Sequence, residues 1–220
     1  MTFALNSMDL LGLSVFVLTW LFLEFILDYS PWKRKNLSVL MAEKRLQWML
    51  IMAERDLKMI DTQIIAGLQT GASFFASACI LAIGGSFALL GSTDTVLQIY
   101  RDLPVSSAVS RQIWELKAFG LATVFIYSFF KFGWSYRLFN YCSILMGAVP
   151  NRDASTLEQR RTAAIAAADM NVIASRHFTA GLRGIFFALA YLGWFVGPEM
   201  LMITTALVTA VLVRRQYFSH

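Results

Sequence analysis

The stretch from Ile64 to Leu90 contains no charged residue, and this feature restricts the fold more than any other. The hydrocarbon core of a bilayer is roughly 30 Å thick, and an α-helix needs about 20 apolar residues to cross it. A helix on the surface of a water-soluble protein instead keeps one polar face. We therefore predict a transmembrane helix over 64–90.

Four other apolar stretches predict further spans, at about 10–27, 113–134, 181–196 and 198–213. The last two come from one apolar segment that Gly197 and Pro198 interrupt, and proline is favoured in the first turn of a helix. The composition, 57% hydrophobic and 15% charged, is typical of a membrane protein. The predicted fold is thus an all-α polytopic membrane bundle of about five transmembrane helices, with 1–220 as a single domain.

The basic residues are unevenly distributed between the connections, and this predicts the orientation. Lys and Arg concentrate in 29–63, in 135–180 and at Arg214 and Arg215. The connection 91–112 holds few of them, and the N-terminus before the first span holds none. Short loops rich in Lys and Arg stay in the cytoplasm. We therefore expect a multi-pass inner-membrane protein with its N-terminus outside and its C-terminus inside. Basic loops at the inner face account for the net charge of +5, so we expect no nucleic-acid partner.

A helical arm is predicted over about 37–63, ahead of the second span. Glu54 and Lys58 stand one turn apart on its polar face, a pair that supports a helix. Because no Gly or Pro separates the arm from the span, we expect one continuous helix that protrudes from the membrane. Its apolar face, with spacings of three and four, is formed by Leu46, Met49, Leu50, Ala53, Leu57, Ile60 and Ile64.

A second arm is predicted over about 155–180. Ser155 stands three residues before Glu158, the spacing of a capping box, and the apolar pattern continues into the span at Gly181. We expect these two cytoplasmic extensions to pack together and lengthen the bundle. The alternative is that each arm lies flat on the lipid surface. The apolar face of the second arm is formed by Ala163, Ala166, Ala167, Met170, Ile173 and Ala174.

The second span also carries small residues within a narrow arc of the helix. Small residues let another helix approach closely, as in interfaces with a small residue at every fourth position. We favour a contact inside the monomer over a seam between two copies. This helix-packing face consists of Gly67, Gly71, Ala78, Ala82 and Gly85.

Glu24 lies in the inner half of the first predicted span, where a carboxylate is costly unless it is paired, protonated or hydrated. Arg183 and Lys131 are predicted at a similar depth and are its candidate partners. An ion or proton site open to the cytoplasm is one interpretation. A structural ion pair, or a side chain that reaches towards the interface, is the favoured one.

Arg176, His177 and Arg183 are predicted to gather where the second arm meets the membrane, with Asp169 two turns before His177. A basic pocket for the headgroup of an anionic lipid is one interpretation. Ordinary anchoring at the inner face is the favoured one. With only two histidines, a metal site or a bis-histidine haem is not expected. Motifs of nucleotide-binding loops, zinc proteases and serine hydrolases are absent from the sequence, so we expect no cofactor and no enzyme activity.

The second half of the chain contains a series of aromatic and basic segments: FGWSYRLFN at 132–140, GAVP at 147–150, RHF at 176–178, GLR at 181–183, FFALA at 186–190, LGWF at 192–195 and VRR at 213–215. In these segments, over Phe132 to Phe218, it resembles the bacterial and plant membrane-protein family named domain of unknown function 599. The resemblance implies a helical membrane protein. It implies no biochemical role.

These features predict a helical scaffold or partner subunit that self-associates or binds another membrane protein. Its other contact is the lipid bilayer, including anionic lipid. The alternative is a small transporter or channel with a polar site near Glu24 and the cytoplasmic basic cluster. Few polar residues occur inside the predicted spans, and this favours the scaffold.

Overall fold

The computed structural model describes residues 5–29, 37–95, 98 and 110–217. No strand occurs among them, so the all-α prediction is confirmed for this part of the chain. Parts of the two connections used to predict orientation, 30–36 and 99–109, lie outside the described residues. The helices are α1 (Ser7–Tyr29), α2 (Leu37–Ala53), α3 (Met59–Gly91), α4 (Arg111–Gly147), α5 (Leu157–Tyr191), the short α6 (Gly193–Val196) and α7 (Pro198–Tyr217), with a 3-10 turn at Arg152–Ala154.

Within the described residues, four stretches are long and apolar enough to cross a membrane: Ser7–Ile26, Met59–Gly91, Arg111–Gly147 and Leu157–Val196. They suggest a membrane protein, and they contain the first four predicted spans. α7, which holds the predicted fifth span, is not among them, since charged Glu199, Arg214 and Arg215 stand near its ends. It begins at Pro198, directly after Gly197, as the sequence predicts.

The third predicted span was expected to end near Trp134, but α4 continues to Gly147. Hydropathy falls after Trp134, yet no Gly or Pro interrupts the helix before Gly147. The added turns are held by contacts with α5, such as the Ser135 hydroxyl, which donates to the Ala174 carbonyl at 2.8 Å. A loss of hydropathy therefore marks the end of the apolar surface and not the end of the helix.

The prediction that the first arm and the second span form one continuous helix is wrong. α2 ends at Ala53 and α3 begins at Met59. The chain folds back here around Asp61, which is fully buried. The Asp61 carboxylate accepts hydrogen bonds from Trp48 Nε1 at 2.7 Å and from Arg55 Nη1 at 2.8 Å. In a continuous helix, Trp48 and Asp61 would stand about 20 Å apart along the axis, so these bonds require the break.

The break also separates the predicted pair of Glu54 and Lys58. Glu54 instead pairs with Arg160 of α5, with 3.2 Å between oxygen and nitrogen. The Lys58 ammonium donates to the carbonyl of Val149 at 2.9 Å. Glu54 therefore attaches the turn to the second arm, and Lys58 attaches it to the connection that follows α4.

The second arm begins one residue later than predicted and continues without a break into the span, as expected. Its capping box is formed by Thr156 and Gln159, each side chain bonding to the other's backbone. Ser155, the predicted cap, donates to the carbonyl of Asn151 at 2.7 Å instead. Thr156 takes the capping position because its backbone is extended while Leu157 already starts the helix.

The two arms pack against each other, which is the arrangement favoured over lying flat on lipid. Met49 and Met52 of α2 are 0% exposed and share one hydrophobic core with Ala164, Ala167 and Ala168 of α5. Burying such side chains against protein removes the apolar face that would otherwise contact lipid. The other buried members of this core are Ala53, Ile65, Ala72, Leu138, Phe139, Cys142, Met146, Val149 and Ala174.

The helices define two ends of the bundle. At one end, Asp9 near the start of α1 accepts a hydrogen bond from Trp194 Nε1 of α6 at 2.7 Å. We call this the tryptophan end. At the other end, Gln216 of α7 donates to the hydroxyl of Ser38 in α2 at 2.8 Å. We call this the arm end. α7 therefore extends along the bundle from the tryptophan end, where it begins, to the arm end.

Close helix contacts at glycines lie between α4 and α5, and not at the glycines of the small-residue face of α3. A Cβ added at Gly120 or Gly184 would overlap the hydroxyl of Tyr191 or Ser128, whereas one added at Gly67 would meet nothing within 4 Å. Gly71 and Gly85 are equally open. The prediction that this face packs against another helix of the same chain is therefore wrong for its glycines. α3 packs on α4 through a different seam with a seven-residue spacing, formed by Ile65, Ala72, Cys79 and Ser86.

Candidate functional site

Arg183 of α5 is a buried cation, with 4% of its surface exposed. Charge at such a position must be compensated by a partner. Arg183 Nε lies 3.8 Å from Glu24 Oε1 of α1, and Arg183 is one of the two partners named from the sequence for this carboxylate. The structure thus brings two predicted residues together across more than 150 positions of chain.

Tyr127 of α4 completes this group. Its hydroxyl donates to Glu24 Oε1 at 2.7 Å. Lys131, the second candidate partner, places its ammonium 5.2 Å from the centre of the Tyr127 ring, in a cation–π contact. Tyr127 was not among the site residues predicted from the sequence. Its position four residues before Lys131 placed both on one face of α4, a signal that pointed to this contact.

A cavity of about 280 Å³ opens beside Arg183, between α2, α5 and α7. Three guanidinium groups line it, those of Arg45, Arg183 and Arg215. We call it the arginine cavity. Its polar lining also includes the hydroxyls of Ser38, Ser175 and Thr179 and the amide of Gln216, and its apolar lining consists of Leu37, Met41, Leu182, Phe186 and Leu212.

Other side chains hold these guanidinium groups in place. Arg45 Nη1 donates to Asn171 Oδ1, and Asn171 Nδ2 in turn donates to Cys142 Sγ at 3.4 Å. Arg215 lies 5.9 Å from the centre of the Phe186 ring. Burial lowers the pKa of Arg45 from its ordinary value, and a guanidinium still keeps its proton at neutral pH. The cavity therefore presents permanent positive charge.

Among the described residues that line the arginine cavity, none is Asp or Glu. Glu24 of α1 pairs with one of these lining residues, Arg183. Arg45 Nε is buried and has no hydrogen-bond partner among the described residues. Buried donors are nearly always satisfied, so this one marks a place where an acceptor is missing.

The other predicted site residues lie elsewhere. Asp169 and Arg176 are exposed, and His177 packs edge-on against Trp134 with 6.4 Å between ring centres. None of these three lines the arginine cavity. The basic cluster predicted at the junction of arm and span is therefore divided. Arg183 is the member of the cluster that lines the cavity. The face of α5 that carries Ser175, Thr179 and Arg183 is turned towards α2 and α7.

Arg45 and Arg215 were not predicted to be site residues, because from the sequence they served only as evidence of orientation. One signal did point to Arg45. Asn171 stands alone in the alanine-rich apolar face of the second arm and is 0% exposed. A buried amide needs a hydrogen-bond partner, and Arg45 supplies it.

A second buried polar group lies at the tryptophan end. Lys117 of α4 is 4% exposed, and its ammonium donates to the Trp194 carbonyl at 2.6 Å and lies 5.2 Å from the centre of the Trp194 ring. Asp9, 9% exposed, accepts from the indole of the same residue. Within the described residues, no three His, Cys, Asp or Glu side chains are grouped closely enough to hold a metal ion.

In the comparison with protein families, the chain matches the family described as Protein of unknown function, DUF599, over residues 11–220. The chain belongs to this family. The match covers nearly the whole chain, beyond the segments on which the resemblance was based. No curated protein and no solved structure matches it. The DUF599 description states no activity, so the role must be argued from the structure.

Proposed function

We propose that this DUF599 protein is a five-span protein of the inner membrane, with its N-terminus outside and its C-terminus in the cytoplasm. α1, α3, α4, α5 and α7 cross the bilayer, and the arm end faces the cytoplasm. The protein is a non-catalytic scaffold or partner subunit, which associates with a second copy or with another membrane protein through α3.

The course of α7 supports the fifth crossing. It begins at Pro198, which lies against Gly12 of α1, and it ends near Gln216, which binds Ser38 at the arm end. A helix of its 20 residues is about 30 Å long, which matches the hydrocarbon core. Arg214 then lies beside the basic arms, on the side that the positive-inside rule favours for the cytoplasm.

The observation that carries the association role is the exposure of α3. Only 11% of its apolar window is buried within the chain, against 56% for Leu157–Val196. α3 packs mainly on α4 and leaves Gly67 and Gly71 uncovered. Glycines on an uncovered apolar helix let a second helix approach its backbone, and such close packing drives the association of helices in lipid.

A transport pathway through one chain is less well supported. The interior between the two ends is filled by aromatic rings, with Phe16 edge-on to Trp20, Phe187 and Tyr191. Phe16 and Phe187 are 2% and 0% exposed. An ion crossing this cluster would lose its hydration without a polar replacement. We therefore place the scaffold first.

Cysteine cross-linking in native membranes tests the association. Cys79 and Cys142 are buried, so a cysteine introduced at Gly71 is the accessible one on this face. We expect Gly71→Cys to give a covalent dimer, or an adduct with a partner protein, under mild oxidation. The matched control is Leu18→Cys on α1, where Leu18 is 65% exposed. Equal cross-linking at both positions, or none at Gly71, would contradict a specific interface on α3.

A further inference from the structure

We propose that the arginine cavity is a binding site for a phosphate-bearing anion. This site is independent of the association through α3, and it assigns a ligand to the arm end of the bundle. The ligand class is a phosphomonoester or phosphodiester group, carried either by a lipid headgroup or by a small soluble molecule.

The first argument is charge. Three arginines line the cavity, no described lining residue is Asp or Glu, and one of the arginines, Arg183, is 4% exposed. Like charges around one cavity repel one another, and the repulsion is largest for a buried group such as Arg183, where the surrounding dielectric constant is low. An anion in the cavity would offset this repulsion for all three groups at once.

The second argument is the geometry of the donors. A guanidinium presents several N–H groups in one plane and binds phosphate oxygens in pairs. Arg45 Nε is buried and lacks an acceptor among the described residues, while Asn171 holds the other side of the same group. Ser175 and Thr179 also line the cavity, and the Thr179 hydroxyl donates to the Ser175 carbonyl at 3.0 Å, which leaves the Ser175 hydroxyl as the further donor. A tetrahedral oxyanion accepts hydrogen bonds in several directions, which a planar carboxylate cannot match.

The third argument is that the site is already organised. Arg45 is held by Asn171, Arg183 by Glu24 and Arg215 by Phe186. Side chains fixed before binding lose little entropy when a ligand arrives. The volume of about 280 Å³ is close to the lower limit of small-molecule pockets, which suits a headgroup or a small phosphorylated molecule.

The test uses the full chain in a maltoside detergent, which carries no phosphate. One arm of the experiment titrates inorganic phosphate and follows the thermal unfolding midpoint by tryptophan fluorescence. The other arm adds phosphatidylglycerol, with diacylglycerol as the phosphate-free lipid control, and counts retained lipid by native mass spectrometry. Binding of both probes identifies a general phosphate site. Binding of the phospholipid alone identifies a headgroup site, and binding of inorganic phosphate alone identifies a site for a soluble anion.

The variants locate the site. Arg45→Gln and Arg215→Gln should each weaken binding about tenfold, since each removes a charged hydrogen-bond donor. Arg214→Gln is the matched control, because it removes the same charge one residue away and outside the lining. It should change affinity less than about twofold. Equal weakening by Arg214→Gln would mean attraction to the general surface charge and would overturn the proposal.

Absence of binding by either probe to the native chain would also overturn it. Folding is checked for every variant by size exclusion and circular dichroism. Arg215 is exposed and near the C-terminus of α7, so its replacement by Gln leaves the core intact and keeps the test valid if Arg45→Gln does not fold. Full binding by a folded Arg215→Gln variant would count against the site.

Discussion

The two ends of the bundle both bury cations, but they treat them differently. At the tryptophan end, Lys117 donates to the Trp194 carbonyl at 2.6 Å, and Asp9 accepts from the indole of the same residue. At the arm end, Arg183 stands 3.8 Å from Glu24 beside a cavity of about 280 Å³. The first cation is enclosed by short contacts within the chain, whereas the second lies next to space for a ligand.

This difference separates a structural polar group from a candidate binding site. A buried charge by itself does not distinguish them, since both cations are 4% exposed. What distinguishes them is the local balance of donors and acceptors. The tryptophan end has an acceptor for each donor named above, and at the arm end three arginines line a cavity whose described lining residues include no Asp or Glu.

The largest expected effect is at the tryptophan end. Lys117→Met should lower the free energy of unfolding by about 2 to 3 kcal/mol, because the buried Trp194 carbonyl loses its hydrogen bond. Unfolding in mixed micelles with increasing denaturing detergent measures this change. An unchanged unfolding midpoint would mean that the tryptophan end tolerates the loss of its buried cation. The proposed difference between the two ends would then be wrong.

The second prediction concerns packing at the same end. A Cβ on Gly193 would lie 2.5 Å from Thr204 Oγ1 and 2.9 Å from the Met200 carbonyl oxygen. Gly193→Ala should therefore cost about 1 to 2 kcal/mol in unfolding free energy. Gly147→Ala at the arm end is the control, because nothing lies within 4 Å of its added Cβ. The same unfolding measurement should find Gly147→Ala neutral, and similar losses for both would remove the packing difference.

The third prediction concerns Glu24, which pairs with Arg183 beside the arginine cavity. Glu24→Gln removes the carboxylate that pairs with Arg183 and accepts from Tyr127, and should cost about 1 kcal/mol in unfolding free energy. It should also tighten phosphate binding a few-fold, since the competitor for Arg183 is gone. Calorimetric titration with inorganic phosphate checks the second effect. Weaker binding would show that Glu24 positions the site instead of competing with the ligand.

The smallest expected effect on stability is that of Arg215→Gln. In the absence of ligand it should change the unfolding free energy by less than about 0.5 kcal/mol, because the side chain is exposed and its contact with Phe186 is a single cation–π pair. The denaturing-detergent titration used for Lys117→Met provides the measurement. A loss comparable to that of Lys117→Met would make Arg215 a structural residue.

Part of the candidate site was predictable from the sequence. Glu24, Arg183 and Lys131 were expected at one depth, and the structure groups them around Tyr127. Arg45 and Arg215 were not expected beside Arg183, since they come from α2 and α7, distant along the chain. The break between α2 and α3 was also missed, because the buried Asp61 bonds to Trp48 and Arg55 only after the chain folds back.

The small-residue faces make the same point about packing. Gly67 and Gly120 are both glycines within apolar helices, and the spacing of small residues drew attention to Gly67. The structure leaves Gly67 open and packs Gly120 against Tyr191. Spacing within one helix identifies a surface that another helix can approach. It does not identify which helix arrives, because that depends on the shape of every other surface in the bundle.

The sequence by itself determined the helical class, the apolar lengths of the first four spans and the concentration of basic residues in the arms. These properties are local, since a helix rises 1.5 Å per residue and a bilayer has a fixed thickness. Only the tertiary structure decided that the arms pack together, that α4 and α5 approach at glycines, and that three arginines meet in one cavity. Contacts between distant segments follow from the fit of whole surfaces, and no local pattern encodes that fit.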